Sequence, residues 1–147
     1  MRARDDILNA LNHKKPDGIN KLEQSYKVLV VDDSATMRKI IGQQLKSEAY
    51  EICGEASNGK EAIELYKEMQ PDVVTLDINM PEMDGMEALK RILEWDEDAR
   101  VVMLTADGQK QVVIDAISSG AKGYIVKPPF KSKVCEKVRI ALEGLSD

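Results

Sequence analysis

Polar side chains suited to cation or phosphate chemistry follow four short apolar runs of this 147-residue chain. The runs are Val28–Val31, Val73–Leu76, Val101–Leu104 and Tyr124–Val126, and the polar residues after them are Asp32, Asp33, Asp77, Thr105 and Lys127. Carboxylates brought close together repel by about 4 kcal/mol per pair at an effective dielectric constant of about 20. Three aspartates in one place would therefore need a cation. Mg²⁺ suits them, because it binds one or two carboxylates together with phosphate oxygens and keeps several waters.

Asp77 is the candidate for covalent chemistry at such a site. A carboxylate can accept a phosphoryl group, and surrounding positive charge stabilises the equatorial oxygens during transfer. Lys127 would supply an ammonium group and Thr105 a hydroxyl group. Each piece alone is more often structural, since an Asp-Asp pair is commonly a solvated turn. Their joint occurrence after four apolar runs predicts a site for phosphoryl chemistry.

Strands and helices that could position these side chains alternate regularly from Lys27 onward. The predicted strands are Val28–Val31, Tyr50–Glu55, the run from Pro71 to Asp77, Val101–Leu104 and Tyr124–Val126. The helices between and after them carry apolar stripes of Met37, Ile40, Ile41 and Leu45; Ala62, Ile63, Tyr66 and Met69; Met86, Leu89, Ile92 and Leu93; Val112, Val113, Ala116 and Ile117; and Val134, Val138, Ala141, Leu142 and Leu145. Ser34, Asn58-Gly59 and Asp84-Gly85 are candidate helix starts. Trp95 ends the third helix as a partly exposed cover.

The alternation predicts an α/β fold with five βα units. Strands separated by helices of this length form a parallel sheet that is covered on both faces, with right-handed crossovers. Five strands fit the doubly wound order 2-1-3-4-5, the flavodoxin-like arrangement, in which ligands bind outside the carboxyl ends of the strands. The switch point then lies between the strands that end in Asp32-Asp33 and in Asp77.

Composition excludes several classes of function. The net charge of −5 and the isoelectric point of about 5.0 argue against a nucleic-acid-binding groove, which would need a basic face. No apolar run is long enough to span a membrane, and the amino terminus has no apolar signal region. Cys53 and Cys135 are far apart and outside any CxxC pattern, which favours two reduced thiols. We therefore expect a cytoplasmic protein.

The first 26 residues are expected to form an extension, and residues 27–147 the main domain. Asp5 could cap a short helix that carries Ile7, Leu8 and Leu11. The stretch Lys14–Gly18 contains proline and glycine and would end that helix. His13 has no partner at metal-ligand spacing, so we expect it to be solvated.

Four stretches resemble the receiver domain of bacterial two-component response regulators. They are VLVVDDSATMRKII, VVTLDINMPEMDGMEAL, VVMLTA and GAKGYIVKPPF. The resemblance covers about residues 27–145, nearly the whole chain beyond the extension.

The resemblance implies a phosphoacceptor and a metal site. Asp77 matches the aspartate that takes a phosphoryl group from the phosphohistidine of a histidine kinase. Asp33 matches the carboxylate that ligates Mg²⁺ directly, and Asp32 matches its neighbour that binds through water. Asn79 matches the position whose backbone carbonyl completes the protein ligands, beside Asp77 itself.

The resemblance also implies a switch. Thr105 matches the hydroxyl that moves to the phosphoryl group, and Lys127 matches the lysine that pairs with a phosphoryl oxygen. The Lys127-Pro128 peptide bond is typically cis in the family. Tyr124 matches the aromatic residue that turns inward on phosphorylation, although an aromatic residue that starts a strand is commonly just packing.

Within the family, the chain is most similar to the single-domain chemotaxis regulators of the CheY type. We expect no output domain after the last helix and therefore expect the output to be partner binding. The similarity implies phosphorylation by a kinase of the CheA type and binding to a flagellar motor switch protein of the FliM type, with a phosphatase as a further partner. The face expected to change is about residues 101–126. Such a protein accepts phosphate and dephosphorylates itself, so we do not expect it to be classed as an enzyme.

Alternatives within and outside this chemistry remain open. A phosphorelay shuttle, or another stand-alone receiver outside chemotaxis, would use the same site. A haloacid-dehalogenase phosphatase would need an aspartate two residues after Asp77, where Asn79 stands. A flavin-binding module would need a phosphate loop in place of Asp32-Asp33. Ile78 and Asp107 also flank the site; an apolar side chain at Ile78 could slow water access, whereas Asn79 and Asp107 go with quicker hydrolysis in the family.

Overall fold

The computed structural model describes residues 15–143, and within them five strands alternate with five helices. The strands are β1 (Lys27–Val31), β2 (Glu51–Ala56), β3 (Val73–Asp77), β4 (Val101–Thr105) and β5 (Gly123–Val126). The helices are α1 (Ala35–Lys46), α2 (Gly59–Met69), α3 (Gly85–Trp95), α4 (Lys110–Ser118) and α5 (Lys131–Ala141). Each strand lies within two residues of the bounds expected from the sequence.

The five strands form one parallel sheet in the order β2-β1-β3-β4-β5. This confirms the predicted doubly wound, flavodoxin-like α/β fold. β1 pairs directly with β3, and Val31 lies opposite Leu76. The residues that follow this pair, Asp32 and Asp77, therefore come out next to each other at the carboxyl edge of the sheet.

The core has two layers, one on each face of the sheet. β3 and β4 are buried along their whole length, as expected for central strands of a parallel sheet. Because side chains alternate along a strand, Leu29 and Val31 pack with buried residues of α2, α3 and α4. Val28 and Val30 pack on the other face with buried residues of α1 and α5.

Three helices begin at the predicted caps. The side chains of Ser34, Asn58 and Asp84 accept hydrogen bonds from the backbone N–H three residues later, at 3.2, 2.8 and 2.9 Å. Each satisfies a backbone donor that the helix itself leaves free. All three caps lie at the carboxyl edge, and the loops after β1 and β3 follow site aspartates and also begin helices.

Two of the predicted apolar stripes are less buried than expected. Ile40 on α1 is 38% exposed and Ile117 on α4 is 45% exposed, and Ala116 is the one residue of α4 that is fully buried. The stripe prediction for these positions was wrong because the buried faces centre on Ile41 and Leu45 in α1 and on Ala116 in α4. Trp95 is 48% exposed, as predicted for a cover residue. Among residues 15–143, no helix is both long and apolar enough to cross a membrane.

Residues 15–26 pack against the amino edge of the sheet. The backbone N–H of Gly18 donates to the carbonyl of Glu48 at 2.7 Å, and that of Tyr26 donates to the carbonyl of Gly18 at 2.7 Å. Tyr26 is 8% exposed and belongs to the core beside α1 and α5. The predicted helix with Ile7, Leu8 and Leu11, together with His13 and Leu145, lies outside the described residues.

Candidate functional site

Three carboxylates meet at the carboxyl edge of the sheet. Asp32 and Asp33 follow β1, and Asp77 ends β3. Their candidate ligand oxygens all lie within 4.8 Å of one another. Asp32 and Asp77 are 0% and 2% exposed, whereas Asp33 is exposed. The cluster therefore has a buried base and one carboxylate that faces solvent.

Asp77 is held in a setting that opposes its negative charge. Burial raises the pKa of the Asp77 carboxyl to about 6, and the nearby charge of Asp32 contributes to this rise. The Lys127 ammonium and a hydrogen bond from the backbone N–H of Asn79, 3.3 Å from Oδ1, work in the opposite direction. A cation bound nearby would therefore stabilise the ionised form of the Asp77 carboxyl.

Lys127 bridges the two buried carboxylates. Its Nζ lies 2.9 Å from Oδ2 of Asp32 and 3.3 Å from Oδ1 of Asp77. Burial alone would lower the pKa of the Lys127 ammonium, but the hydrogen bond to Asp32 and the two negative charges outweigh it and raise the pKa. Lys127 is therefore a fixed positive charge beside Asp77. The Lys127-Pro128 peptide bond is cis.

Thr105 ends β4 with its hydroxyl engaged in its own loop. The hydroxyl donates to the carbonyl of Asp107 at 3.0 Å and accepts from the N–H of Asp107 at 2.9 Å. Its backbone carbonyl accepts from the N–H of Lys127 at 2.7 Å. Thr105 is 1% exposed. The structure thus joins Thr105 to Lys127 through the backbone, while its hydroxyl bonds to the loop that leads to α4.

The loop after Asp77 packs closely on α3. The N–H of Gly85 donates to the carbonyl of Ile78 at 2.7 Å, and a Cβ at Gly85 would collide with the backbone of Asp77 and Ile78. Ile78 is 9% exposed and belongs to the core that α2, α3 and α4 cover. Its apolar side chain therefore packs inward. The Asn79 side chain, by contrast, is exposed.

Tyr124 lies on β5, three residues before Lys127. It is half-buried and packs against the core beside α2, α3 and α4. The Nζ of Lys137 lies 5.8 Å from the centre of its ring, within the range of a cation–π contact. This position is intermediate between core and surface.

One residue at this edge was missed by the sequence analysis. Arg38, in α1, donates from Nη1 to the backbone carbonyl of Asp32 at 2.6 Å and from Nε to Oε1 of Glu55 at 3.0 Å. A cation near the start of a helix is disfavoured by the helix dipole. Its position four residues after Ser34 was the signal that could have drawn attention to it.

The donor set of the acidic cluster fits Mg²⁺. Mg²⁺ prefers oxygen ligands and usually keeps several waters. The cluster offers carboxylate oxygens from Asp32, Asp33 and Asp77, and the exposed side at Asp33 gives room for water. A bound cation would also offset the burial and the nearby charge of Asp32, which together raise the pKa of Asp77. The residues that the structure brings together are thus suited to a hard divalent cation beside a phosphoryl acceptor.

Comparisons with known proteins agree with this geometry. The family described as the response regulator receiver domain matches residues 28–139. The chemotaxis protein CheY of Thermotoga maritima is 49% identical over 110 residues, which cover 75% of this chain and 92% of that protein. CheY of Treponema pallidum is 46% identical over 135 residues, which cover 90% of this chain and 94% of that protein.

A solved structure gives the same result in three dimensions. The CheX–CheY complex of Borrelia burgdorferi, with beryllium fluoride and magnesium, contains a chain that superposes with a TM-score of 0.83 at 44% identity. The match covers 85% of this chain and 96% of that one. The chain therefore belongs to the response regulator receiver domain family and is a CheY-like member of it.

Proposed function

We propose that this protein is a chemotaxis response regulator in which Asp77 accepts a phosphoryl group from the phosphohistidine of a CheA-type kinase. The observation that carries the proposal is the setting of Asp77, a buried carboxylate inside an acidic cluster with the Lys127 ammonium 3.3 Å from its Oδ1. An acceptor of phosphate needs a nucleophilic oxygen and fixed positive charge at the same spot.

The step moves one phosphoryl group between two side chains. A carboxylate oxygen of Asp77 attacks phosphorus, the bond from phosphorus to the kinase histidine nitrogen breaks, and the imidazole leaves with the electron pair and takes up a proton. The product is an acyl phosphate on Asp77. Water later attacks phosphorus and returns the carboxylate and inorganic phosphate. In this proposal the protein is itself the phosphoryl acceptor and returns to its starting state by hydrolysis, so we do not class it as an enzyme.

Residues around Asp77 have separate roles in this proposal. Asp33 would bind Mg²⁺ directly, Asp32 through water, and Asp77 and the backbone carbonyl of Asn79 would complete the set. When bound, Mg²⁺ offsets the charge of the carboxylates and of the phosphoryl oxygens. The Lys127 ammonium, now shared by Asp32 and Asp77, would turn to a phosphoryl oxygen.

The proposed switch begins at Thr105. Its hydroxyl would leave the backbone of Asp107 and bond to the phosphoryl group, which would shift the loop that leads to α4. α4 is the moving element in this proposal because only Ala116 among its residues is fully buried and no side chain caps its first turn. The inward turn of the half-buried Tyr124 ring would follow.

The partner surface in this proposal is the β5–α5 groove, which adjoins the face expected from the sequence. It has a volume of about 350 Å³ and is lined by Tyr124, Ile125, Val126, Phe130, Lys133 and Lys137. Phe130 is 64% exposed and Val126 is 42% exposed. Exposed apolar side chains beside two lysines suit an amphipathic segment of a partner with acidic residues. A flagellar motor switch protein of the FliM type is the partner we propose.

A dephosphorylating partner belongs to the same proposal. The solved Borrelia burgdorferi complex pairs a CheY with a second protein, CheX, in the presence of beryllium fluoride. Beryllium fluoride imitates a phosphoryl group, so that complex supports the idea that phosphorylated receivers of this type are bound by a second protein. We expect this chain to have a comparable partner.

Intact mass after incubation with acetyl phosphate and Mg²⁺ tests the phosphoryl chemistry. The expected result is a gain of one phosphoryl group, which is lost in Asp77→Asn and in the presence of EDTA. Asp98→Asn serves as the matched control, since it removes an exposed carboxylate outside the acidic cluster, in the loop between α3 and β4, and should leave the gain intact. No gain in the wild type at any Mg²⁺ concentration would refute the proposed function.

Peptide binding tests the chemotaxis part of the proposal. A labelled peptide from a flagellar motor switch protein should bind more tightly in the presence of beryllium fluoride and Mg²⁺ than in their absence. Phe130→Ala should weaken that binding by more than about fivefold, because an exposed aromatic anchor is removed. Ile40→Ala, at an exposed apolar residue of α1, is the control that should change nothing.

Failure of the phosphorylated protein to bind the peptide would favour the phosphorelay alternative. If the phosphorylated protein ignores the peptide and transfers its phosphoryl group to a histidine phosphotransfer domain, the chain is a relay shuttle or a stand-alone receiver outside chemotaxis.

A further inference from the structure

Asp32 is the most constrained member of the acidic cluster. Its backbone N–H donates to the carbonyl of Ala56 at 3.0 Å. Its Oδ1 accepts from the backbone N–H of Ser34 at 2.9 Å, and its Oδ2 accepts from Lys127 at 2.9 Å. The fourth polar group, the backbone carbonyl, is bound by Arg38 at 2.6 Å.

The carbonyl of Asp32 lies where the β-ladder has ended. The last pair of β1 and β2 is Val31 with Ala56, so no strand residue continues the ladder beyond that point. A carbonyl in a partly buried place needs a donor. The guanidinium of Arg38 takes the place of the missing strand residue, and it does so from the second turn of α1.

Arg38 is itself fixed from the far side. Its Nε lies 3.0 Å from Oε1 of Glu55, a residue of β2 at the edge of the sheet. The Arg38 side chain is 17% exposed, whereas Glu55 is 54% exposed. The planar fork of a guanidinium can satisfy two acceptors in fixed directions, which the flexible ammonium of a lysine cannot reproduce. Arg38 thus connects three elements: β2, α1 and the loop that carries Asp32 and Asp33.

We propose that Arg38, oriented by Glu55, is a positioning residue for the Mg²⁺ site, because it fixes the backbone of the Asp32-Asp33 loop. This inference rests on the proposed function, in which these carboxylates bind Mg²⁺. Loss of a group that orients metal ligands typically weakens metal binding by about 10- to 100-fold. Arg38 acts through the backbone of Asp32 and has no contact of its own with the metal in this proposal.

The sign of the effect separates positioning from simple electrostatics. Removing a positive charge beside an acidic cluster should strengthen the binding of a cation if charge alone matters. Loss of positioning should weaken that binding, because the backbone that carries Asp32 and Asp33 would no longer hold the two carboxylates in one fixed arrangement. The two explanations therefore predict opposite changes for the same variant.

Calorimetric titration with MgCl₂ alone, at constant ionic strength, is the decisive experiment. Arg38→Met should raise the Kd for Mg²⁺ by about tenfold. Arg38→Lys keeps the positive charge but loses the planar guanidinium that binds two acceptors, so it should raise the Kd nearly as much. Arg139→Met is the matched control. Arg139 lies on α5 and forms an exposed ion pair with Glu143, so its loss should leave the Kd unchanged. The Tm of each variant in EDTA shows whether it is folded at the titration temperature.

Each outcome has a definite meaning. A Kd for Arg38→Met equal to or lower than that of the wild type overturns the proposal, and an unchanged Kd for Arg38→Lys does the same. A lower Tm in EDTA with an unchanged Kd would make Arg38 a purely structural residue. If the wild type itself fails to bind Mg²⁺, the proposed function fails at the metal, which is distinguishable from a failure of Arg38.

Discussion

The two edges of the sheet treat their charged residues in opposite ways. At the carboxyl edge, one ammonium from Lys127 serves two buried carboxylates, and burial raises the pKa of Asp77 to about 6. At the amino edge, Asp72 accepts from the backbone N–H of Lys27 at 2.7 Å, and Arg100 donates to the carbonyl of Ala141 at 2.6 Å. One edge carries excess negative charge, whereas the other pairs its charges with backbone groups.

An excess of like charge at one edge lowers the stability there and is typical of a ligand site. Charged groups that only hold a structure together are placed against partners that satisfy them, as at the amino edge. Charged groups that await a ligand are placed together without full compensation, as at the carboxyl edge. Substitutions at the two edges should therefore differ in the sign of their effect on stability, or in whether they also affect phosphorylation of Asp77.

A pair of glycine substitutions should have the largest effect. Gly85→Ala at the carboxyl edge and Gly18→Ala at the amino edge both place a Cβ against backbone atoms that cannot easily move. Each should lower the free energy of unfolding by about 3 kcal/mol. Only Gly85→Ala should also reduce phosphorylation of Asp77, since its Cβ meets the backbone of Asp77 itself. Denaturant unfolding and intact mass measure the two effects, and reduced phosphorylation in folded Gly18→Ala would break the comparison.

Asp77→Asn should stabilise the protein in the absence of Mg²⁺. The neutral amide has nearly the shape of the carboxylate but removes the charge that burial and Asp32 disfavour. A pKa raised from 3.8 to about 6 corresponds to a gain of about 3 kcal/mol at pH 7, and this raised pKa already includes the opposing effect of Lys127. Urea unfolding in EDTA checks this, and a destabilised variant would show that the carboxyl edge is as well compensated as the amino edge.

The free energy of unfolding of the wild type should also depend on pH, because the buried charge of Asp77 destabilises the folded state. Because folding raises the pKa of Asp77, the folded state keeps this proton to a higher pH than the unfolded state. Above the unfolded pKa of about 4, the folded state binds more protons, so stability falls with rising pH until about pH 6. The penalty is absent below about pH 4 and complete above about pH 6.

Other carboxyl groups also titrate in this range, so the difference between wild type and Asp77→Asn is the quantity to measure. The stabilisation in the variant should grow by about 2 kcal/mol from pH 4 to pH 7 in EDTA. A difference that stays constant with pH would mean that folding leaves the pKa of Asp77 unchanged.

Arg100→Met should have the smallest effect on the free energy of unfolding. The effect should be opposite in sign to that of Asp77→Asn. It keeps much of the aliphatic stem but leaves the carbonyl of Ala141 without its charged donor, at the end of α5. We expect a loss of about 1 kcal/mol in the free energy of unfolding, independent of Mg²⁺. Thermal unfolding with and without Mg²⁺ measures it. A loss that depends on Mg²⁺ would indicate coupling between the two edges.

The sequence alone determined the fold and the location of the candidate site. Apolar runs with helices between them specify a parallel sheet, and polar residues after Val31 and Leu76 must then come out at one edge. Local rules also identified Ser34, Asn58 and Asp84 as helix caps, because a cap depends on residues only three positions apart.

Only the tertiary structure decided how the site is held. Lys127 lies 95 positions from Asp32, and the hydrogen bond between them depends on side-chain directions across neighbouring strands. The place of Arg38 near a helix start is visible in the sequence, but its bond to the carbonyl of Asp32 arises where a strand pair ends, which depends on the pairing of β1 and β2. The raised pKa of Asp77 follows from burial and from neighbouring charges, which exist only once the chain is folded.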